Sequence, residues 1–273
     1  MVVNELQKKQ LALLERFIDV CRTLGLTWYL VRGSALGAVK YGGFIPWDDD
    51  VDVALPRRDY DVFVEKAQVL LPAHIFVQTY VGDPAFPKLF CKLRDSQTTY
   101  VEAPYQRIPM HHGVFIDVFP LDGCPERGSA RFDRKLRWYL RRTSCALELP
   151  RSGKAALLCG VLRAFGCHKR THRTLVRLEG MLRRCPAEES ALWCSCGNFR
   201  GKLIPEKREI YGDGVGMTFE GLAVRIPAEY DTYLRGLYGD YHTDPPSEEQ
   251  VGHHHYAALD LDTPYLEYRG EYG

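Results

Sequence analysis

Residues 33–56 read "GSALGAVKYGGFIPWDDDVDVALP", and the centre of this stretch decides how the rest of the chain is read. "WDDDVD" (47–52) packs four aspartates into five positions just before an apolar run. Two like unit charges about 4 Å apart repel by about 4 kcal/mol at an effective dielectric of ~20. On a strand, residues i and i+2 share a face. A strand over 51–55 therefore projects Asp50 and Asp52 together, with Val51 and Val53 on the opposite side. Asp48 shares their parity but lies where the strand is only beginning, and Asp49 belongs to the turn. Paired carboxylates on one face suit Mg²⁺ or Mn²⁺, and a cation offsets their repulsion. A merely solvated acidic loop fits poorly with Phe44, Ile45, Trp47, Val51 and Val53 around it. An EF-hand loop starting at Asp48 is excluded. It needs glycine at its sixth position and a bidentate acid at its twelfth, where this chain has Val53 and Asp59.

Upstream, "RGS" (32–34) marks the junction between an expected strand, "TWYLVRG" (27–33), and a short helix, "SALGAVKY" (34–41), with Ser34 as its expected N-cap. A helix N-terminus offers free N–H groups to an anion, and Gly33 lets a phosphate approach closely. A Gly-Ser turn followed by two same-face aspartates resembles the arrangement in nucleotidyltransferases of the DNA polymerase β type. Those enzymes hold a nucleotide's phosphates between the turn and two metal ions and need a third carboxylate. Asp117, an acid inside the apolar strand "GVFIDVFPLDG" (113–123), is the candidate, because an unpaired charge there would be expensive. The alternative for Asp117 is a salt bridge to an arginine.

Outward from this centre, "MVVNELQKKQLALLERF" predicts an N-terminal helix capped by Asn4, with Leu6, Leu13, Leu14, Phe17, Cys21 and Leu24 along one side. Residues 57–71 predict an amphipathic helix with Tyr60, Phe63, Val64, Ala67 and Leu71 inward. "HIFVQTY", "KLFCKLRD" and "TTYVEA" predict three strands, read as an antiparallel run. "FEGLAVRIP" predicts a strand and turn, and "AEYDTYLRGLYG" a helix. Between Arg127 and Arg184 there are sixteen Lys/Arg and three acids, a net of +13, so the remainder of the chain carries −12. This basic stretch is poor in β-branched residues and predicts helices. The resulting organisation is a nucleotidyltransferase-like core (1–126), a basic helical insert (127–190) and a C-terminal part (191–273). The fold class is α/β (α+β) with a mixed sheet.

The chain of 273 residues is 45% hydrophobic and 26% charged, which suits a soluble protein with a sizeable core. No run approaches the ~20 apolar residues of a membrane span. Its first residues lack the pattern of a secretory signal, which predicts a cytoplasmic protein. The nine cysteines are scattered, favouring free thiols over disulfides. "WCSC" (193–196) has no second cysteine pair to complete a zinc site.

"RGSALGAVKYGGFIPWDDDVDVALPRRDYDVF" (32–63) closely resembles the signature of the LicD family, bacterial phosphocholine transferases related to animal fukutin and fukutin-related protein. "FIDVFPLDG", "FEGLAVRIPAEYDTYLRGLYGDYHTDPP" and "HHH" also resemble family segments, so the resemblance covers about 5–123 and about 195–256. The basic middle stretch shows none. The resemblance implies cleavage of a CDP-alcohol, most often CDP-choline. The phosphoalcohol passes to a hydroxyl of a cell-surface glycan precursor such as lipopolysaccharide or teichoic acid, and CMP leaves. It implies Mg²⁺ or Mn²⁺, as two ions. By position, Gly33 and Ser34 match the phosphate turn, Asp50 and Asp52 the paired metal ligands and catalytic acids, Asp48 an extra acid, and Asp117 the third carboxylate.

Other residues have two readings each. Arg32 and Lys40 neutralise the phosphates or are solvated charges. Lys92 and Arg94, alternating on one strand, reach the nucleotide or form salt bridges. Trp28, Tyr29 and Trp47 face a choline cation or pack in the core. Glu220 occupies a family-like position. Among His253, His254 and His255, three adjacent side chains cannot all face one ion, so one or two turn toward metal or substrate. The basic insert lies against an anionic membrane, where a polyprenyl-linked acceptor would sit, or is a solvated face. No nucleic-acid recognition motif accompanies it. The alternatives to phosphoalcohol transfer are nucleotidyl transfer with pyrophosphate release, and a non-catalytic membrane scaffold.

Overall fold

A computed structural model describes residues 3–126, 130–138, 161, 171–195, 205–252 and 255–268. Helix α1 (Glu5–Leu24) opens with a reciprocal cap. The Asn4 side chain accepts from the Gln7 N–H at 2.8 Å, and the Gln7 side chain accepts from the Asn4 N–H at 3.1 Å. It ends at Gly25, whose φ of 65° glycine adopts without steric cost. Leu13, Leu14, Phe17 and Cys21 are buried along one side, as the spacing predicts.

The main sheet runs β1 (Tyr29–Leu30), β2 (Asp52–Pro56), β6 (Val114–Cys124), β4 (Cys91–Asp95) and β3 (Ile75–Gln78). The β2–β6 pair is parallel and the other neighbours are antiparallel, so the sheet is mixed. Beyond the point where β2 ends, β6 continues and pairs with β7 (Leu192–Cys194), which pairs in turn with β8 (Glu206–Lys207). One face of β2, β6 and β4 is apolar: Val53, Leu55, Ile116, Val118, Cys91 and Leu93 are sealed beneath α1 and α3 (Arg57–Leu70). Phe17 and Phe63 meet across these helices at 5.1 Å. The other face carries charge, and this division positions the site.

Four expectations change. The strand expected over 27–33 is only Tyr29–Leu30, because Arg32 and Gly33 already belong to the following helix. "TTYVEA" is a strand, β5 (Thr99–Glu102), but it leaves the main sheet and pairs antiparallel with β11 (Tyr256–Asp260). Composition predicts a strand but not its partner 150 residues away. Ser34 does not cap its helix. Helix α2 (Arg32–Tyr41) starts two residues earlier, with Val31 at the cap position, and the Ser34 hydroxyl turns to the Asp52 N–H instead. The strand expected at 51–55 is shifted by one residue to 52–56.

In the second half, helical residues 130–138 and α4 (Thr171–Leu182) are helices, as composition predicts, and the intervening insert residues lie mostly outside the described ones. Leu136, Leu175, Leu178 and Leu182 form a satellite core with Cys124 and Cys194. Arg57 joins this region to the sheet, with Glu179 of α4 at 3.4 Å on one side and paired hydrogen bonds to Asp122 of β6 at 2.6 and 2.8 Å on the other. A one-turn helix, α5 (Arg208–Tyr211), leads to the hairpin β9 (Val215–Phe219) and β10 (Leu222–Ile226), followed by α6 (Tyr230–Tyr238). Cysteines 21, 91, 124, 185 and 194 are free thiols. Among the described residues no helix is long and apolar enough to cross a membrane.

Candidate active site

The parallel register of β2 and β6 sets Asp52 directly beside Asp117, and the antiparallel register of β6 and β4 sets Asp117 beside Lys92. Register partners point to the same face, so an acid, an acid and a cation form one row across three strands. All three are buried. Lys92 Nζ lies 3.0 Å from Asp117 Oδ1 and 3.4 Å from Glu102 Oε1, over the Phe115 ring. The Lys92–Asp117 contact is ionic and off the direction of a hydrogen bond, so Oδ1 accepts none. Asp52 faces Arg32, whose Nη1 is 3.7 Å from Oδ2.

The turn before β2 is fixed from three directions. From α1, Gln7 donates to the Asp48 carbonyl at 3.0 Å and Gln10 to the Asp49 carbonyl at 2.7 Å. From α2, Ser34 Oγ accepts the Asp52 N–H at 2.9 Å. Gly33 lies so near Asp48 that an added Cβ would sit 2.9 Å from its carboxylate. From the β9–β10 hairpin, Glu220 accepts the Phe44 N–H at 3.1 Å and donates its own N–H to the Gly42 carbonyl at 2.9 Å. A side chain at Gly43 would collide with the Glu220 carboxylate, and one at Gly37 with the backbone of Gly43 and Ile45. Glu220 and Gly221 both have positive φ (46° and 83°), the two-residue turn that matches strand twist. The family-like Glu220 thus braces the aspartate turn.

Arg32 also has positive φ, 53°, rare for a residue with a side chain. Its N–H donates to the Tyr233 hydroxyl, its guanidinium lies 3.9 Å over the Phe119 ring, and Nη2 donates to Ser195 Oγ at 3.3 Å. The field of the same acids also reaches Tyr238. Its phenol pKa is pushed far up by removal from water and by the field of Asp52, which Arg32 offsets and Asp48 and Asp50 reinforce.

The remaining sequence candidates fall elsewhere. Arg94 is 0% exposed and enclosed by Gln78, the Gly113 carbonyl and Glu102, at 2.5, 2.7 and 3.1 Å. It acts on Glu102 from beneath. Lys40 binds the Tyr241 carbonyl at 3.1 Å and Asp244 at 2.5 Å. Trp47 packs edge-on against Tyr41. Trp28 packs on Phe17, and Tyr29 is buried against Tyr211 with its hydroxyl on the Gly212 carbonyl. His253 and His254 lie outside the described residues, as does Cys196. Sequence reasoning missed Glu102, Gln7, Gln10 and Tyr238. Glu102 alone left a signal, as an acid in the otherwise uncharged strand "TTYVE".

The donor chemistry fits a hard divalent cation, since carboxylates dominate and Asp117 keeps a buried oxygen without a hydrogen bond. Among the described residues no three His, Cys, Asp or Glu side chains form a ready-made metal cage. Magnesium sites that share the ion with substrate phosphates use one or two carboxylates and need no such cage.

Residues 25–127, which contain α2, β2, β4 and all of β6, match the family model described as "LicD/FKTN/FKRP, nucleotidyltransferase domain". The "Lipopolysaccharide cholinephosphotransferase LicD" of Haemophilus influenzae is 26% identical over 272 residues, covering 93% of this chain and 96% of that protein. The segment that holds the acids, the turn and the buried lysine is thus the part of the chain that is similar to the LicD family model.

Proposed function

We propose that the protein transfers a phosphoalcohol, phosphocholine first among candidates, from a CDP-alcohol to a hydroxyl of a glycan precursor. The observation that carries this reading is the row Asp52–Asp117, register partners on parallel strands, with Asp50 two residues before Asp52 and the Gly33–Ser34 turn bonded to it. The fold is a mixed α/β one, and we assign its core to the nucleotidyltransferase type resembling DNA polymerase β. The similarity to a cholinephosphotransferase supports the choice of alcohol.

Asp50, Asp52 and Asp117 would hold Mg²⁺ or Mn²⁺, with Asp48 behind them. Bound there, the cation would neutralise charge on the pyrophosphate oxygens. The chain's own residues do the rest. The start of α2 presents backbone N–H groups to a phosphate. Arg32, already 3.7 Å from Asp52, adds a fixed positive charge at the same place. The acceptor hydroxyl oxygen bonds to the phosphorus next to the alcohol, its proton passes to a carboxylate of the row, Asp117 or Asp52, and the bond to CMP breaks. Lys92 holds Asp117 in place, and Glu102 and Arg94 hold Lys92.

The test is incubation with Mg²⁺ and a panel of CDP-alcohols. Release of CMP, together with thermal stabilisation by the donor, is the expected outcome. Release of pyrophosphate from a nucleoside triphosphate would assign nucleotidyl transfer instead, and neither product would leave a scaffold. Asp52→Asn is expected to lower turnover about a hundredfold or more. Unchanged turnover in that variant would refute the assignment of Asp52.

A further inference from the structure

The donor's alcohol has a place of its own beside the phosphate site. In the β5–β11 pair, Leu259 lies opposite Tyr100 and Tyr256 opposite Glu102. The register shifts between Tyr256 and Ala258, so β11 carries an extra residue there. Such a bulge re-aims side chains, and bulges are common next to active sites. Tyr256 is 52% exposed, and its ring centroid lies 5.8 Å from that of Tyr100.

Tyr100 is the opposite case. It is 1% exposed, packed edge-on against Phe115, and its hydroxyl has no hydrogen-bond partner among the described residues. A buried hydroxyl left unpaired is costly and points to a group that completes it. Acids lie around it: burial, then the fields of Asp49, Glu102 and Asp50, push its phenol pKa far up. Gly252, shortly before β11, presses on Asp49, with an added Cβ only 2.6 Å from the carboxylate. The field of Asp50 reaches both Tyr100 and Tyr238. Tyr100 packs on Phe115, over whose ring Lys92 reaches Asp117, so the Tyr100 side adjoins the Asp52–Asp117 row.

We propose that Tyr100 and Tyr256, backed by Asp49, form the subsite for an alkylammonium headgroup on the donor alcohol, such as choline. A quaternary ammonium is attracted to aromatic faces and offsets the acids' field. An uncharged polyol does neither. The subsite specifies which alcohol is taken and rests on the phosphoalcohol-transfer reading.

Two measurements separate its failure from failure of that reading. The first is saturation-transfer NMR with free phosphocholine and glycerol phosphate as probes. Signal at the trimethyl protons that fades in Tyr256→Leu and persists in Tyr256→Phe supports the subsite, whatever the turnover. The second is the ratio of CDP-choline to CDP-glycerol affinity, expected to fall about tenfold in Tyr256→Leu. Tyr256 is half exposed, so the variant keeps its fold, which its melting temperature verifies. No trimethyl contact, or equal loss of both ligands, overturns the subsite. Phosphocholine contact without CMP release from any CDP-alcohol overturns the transferase reading and leaves the subsite standing.

Discussion

Lys92 shows what a single buried charge does here. It is 2% exposed, and two carboxylates and an aromatic face close around it. Desolvating one ammonium costs several kcal/mol, which only such close partners repay. Lys92→Met would leave Asp117 without this cation, and Glu102 would lose an ion pair while keeping Arg94. We expect a loss of about 3–5 kcal/mol in stability, read from the midpoint of urea denaturation. Lys92→Arg should recover part of it. A variant as stable as the parent would show that the row is not held together by this pair. Asp50, Asp52 and Asp117 could be picked out from sequence because acids inside apolar runs are conspicuous. Glu102 was less visible, because its two partners become its neighbours only after β4 and β5 fold back on each other.

At the scale of elements, the site is a matter of how closely α2, the turn and the β9–β10 hairpin approach. Gly37 faces the backbone of Gly43 and Ile45 with no room for a methyl group, and backbone cannot swing aside as a long side chain can. Gly37→Ala should therefore cost about 1–3 kcal/mol by overpacking. It should also lower turnover more than it lowers affinity for CMP, since it displaces the turn carrying Asp48 to Asp50 before it disturbs β2. Thermal denaturation and steady-state kinetics on one preparation check both parts. The helices α1 and α3 and the strands β2, β4 and β6 were legible because each carries its own periodicity. The β5–β11 pairing and the role of Ser34 were not, because both depend on residues that become neighbours only in the folded chain.

For the molecule as a whole, charge and acidity set the conditions under which it holds. His111 is buried between Phe76 and Tyr265, with Nδ1 accepting the Gly113 N–H and Nε2 bonded to Ser96. Burial, with Arg94 and His112 adding to it, lowers its pKa from 6.5 to about 3. The unfolded chain therefore binds a proton near pH 6.5 that the folded one refuses until about pH 3. Stability from this group is complete above pH 6.5 and falls as pH drops, by up to about 1.4 kcal/mol per pH unit. Denaturation midpoints at pH 7.5, 6 and 5 should show this slope, and His111→Phe should flatten it. An identical slope in the variant would assign the acid sensitivity to other groups.

Glu220 reaches Phe44 across 176 positions of sequence, and β7 joins β6 only after the basic stretch has been made. The aspartate turn therefore gains its last support late in synthesis. A ribosome-bound chain that has emerged only as far as β6 has Asp50, Asp52 and Asp117 in sequence but not the hairpin that braces them. The hairpin that braces the turn is complete only once residues 215–226 have emerged, so the turn's geometry is set late in translation. The same arrangement makes two separately expressed pieces, divided between β6 and β7, candidates for reassembly, since each holds half of the brace.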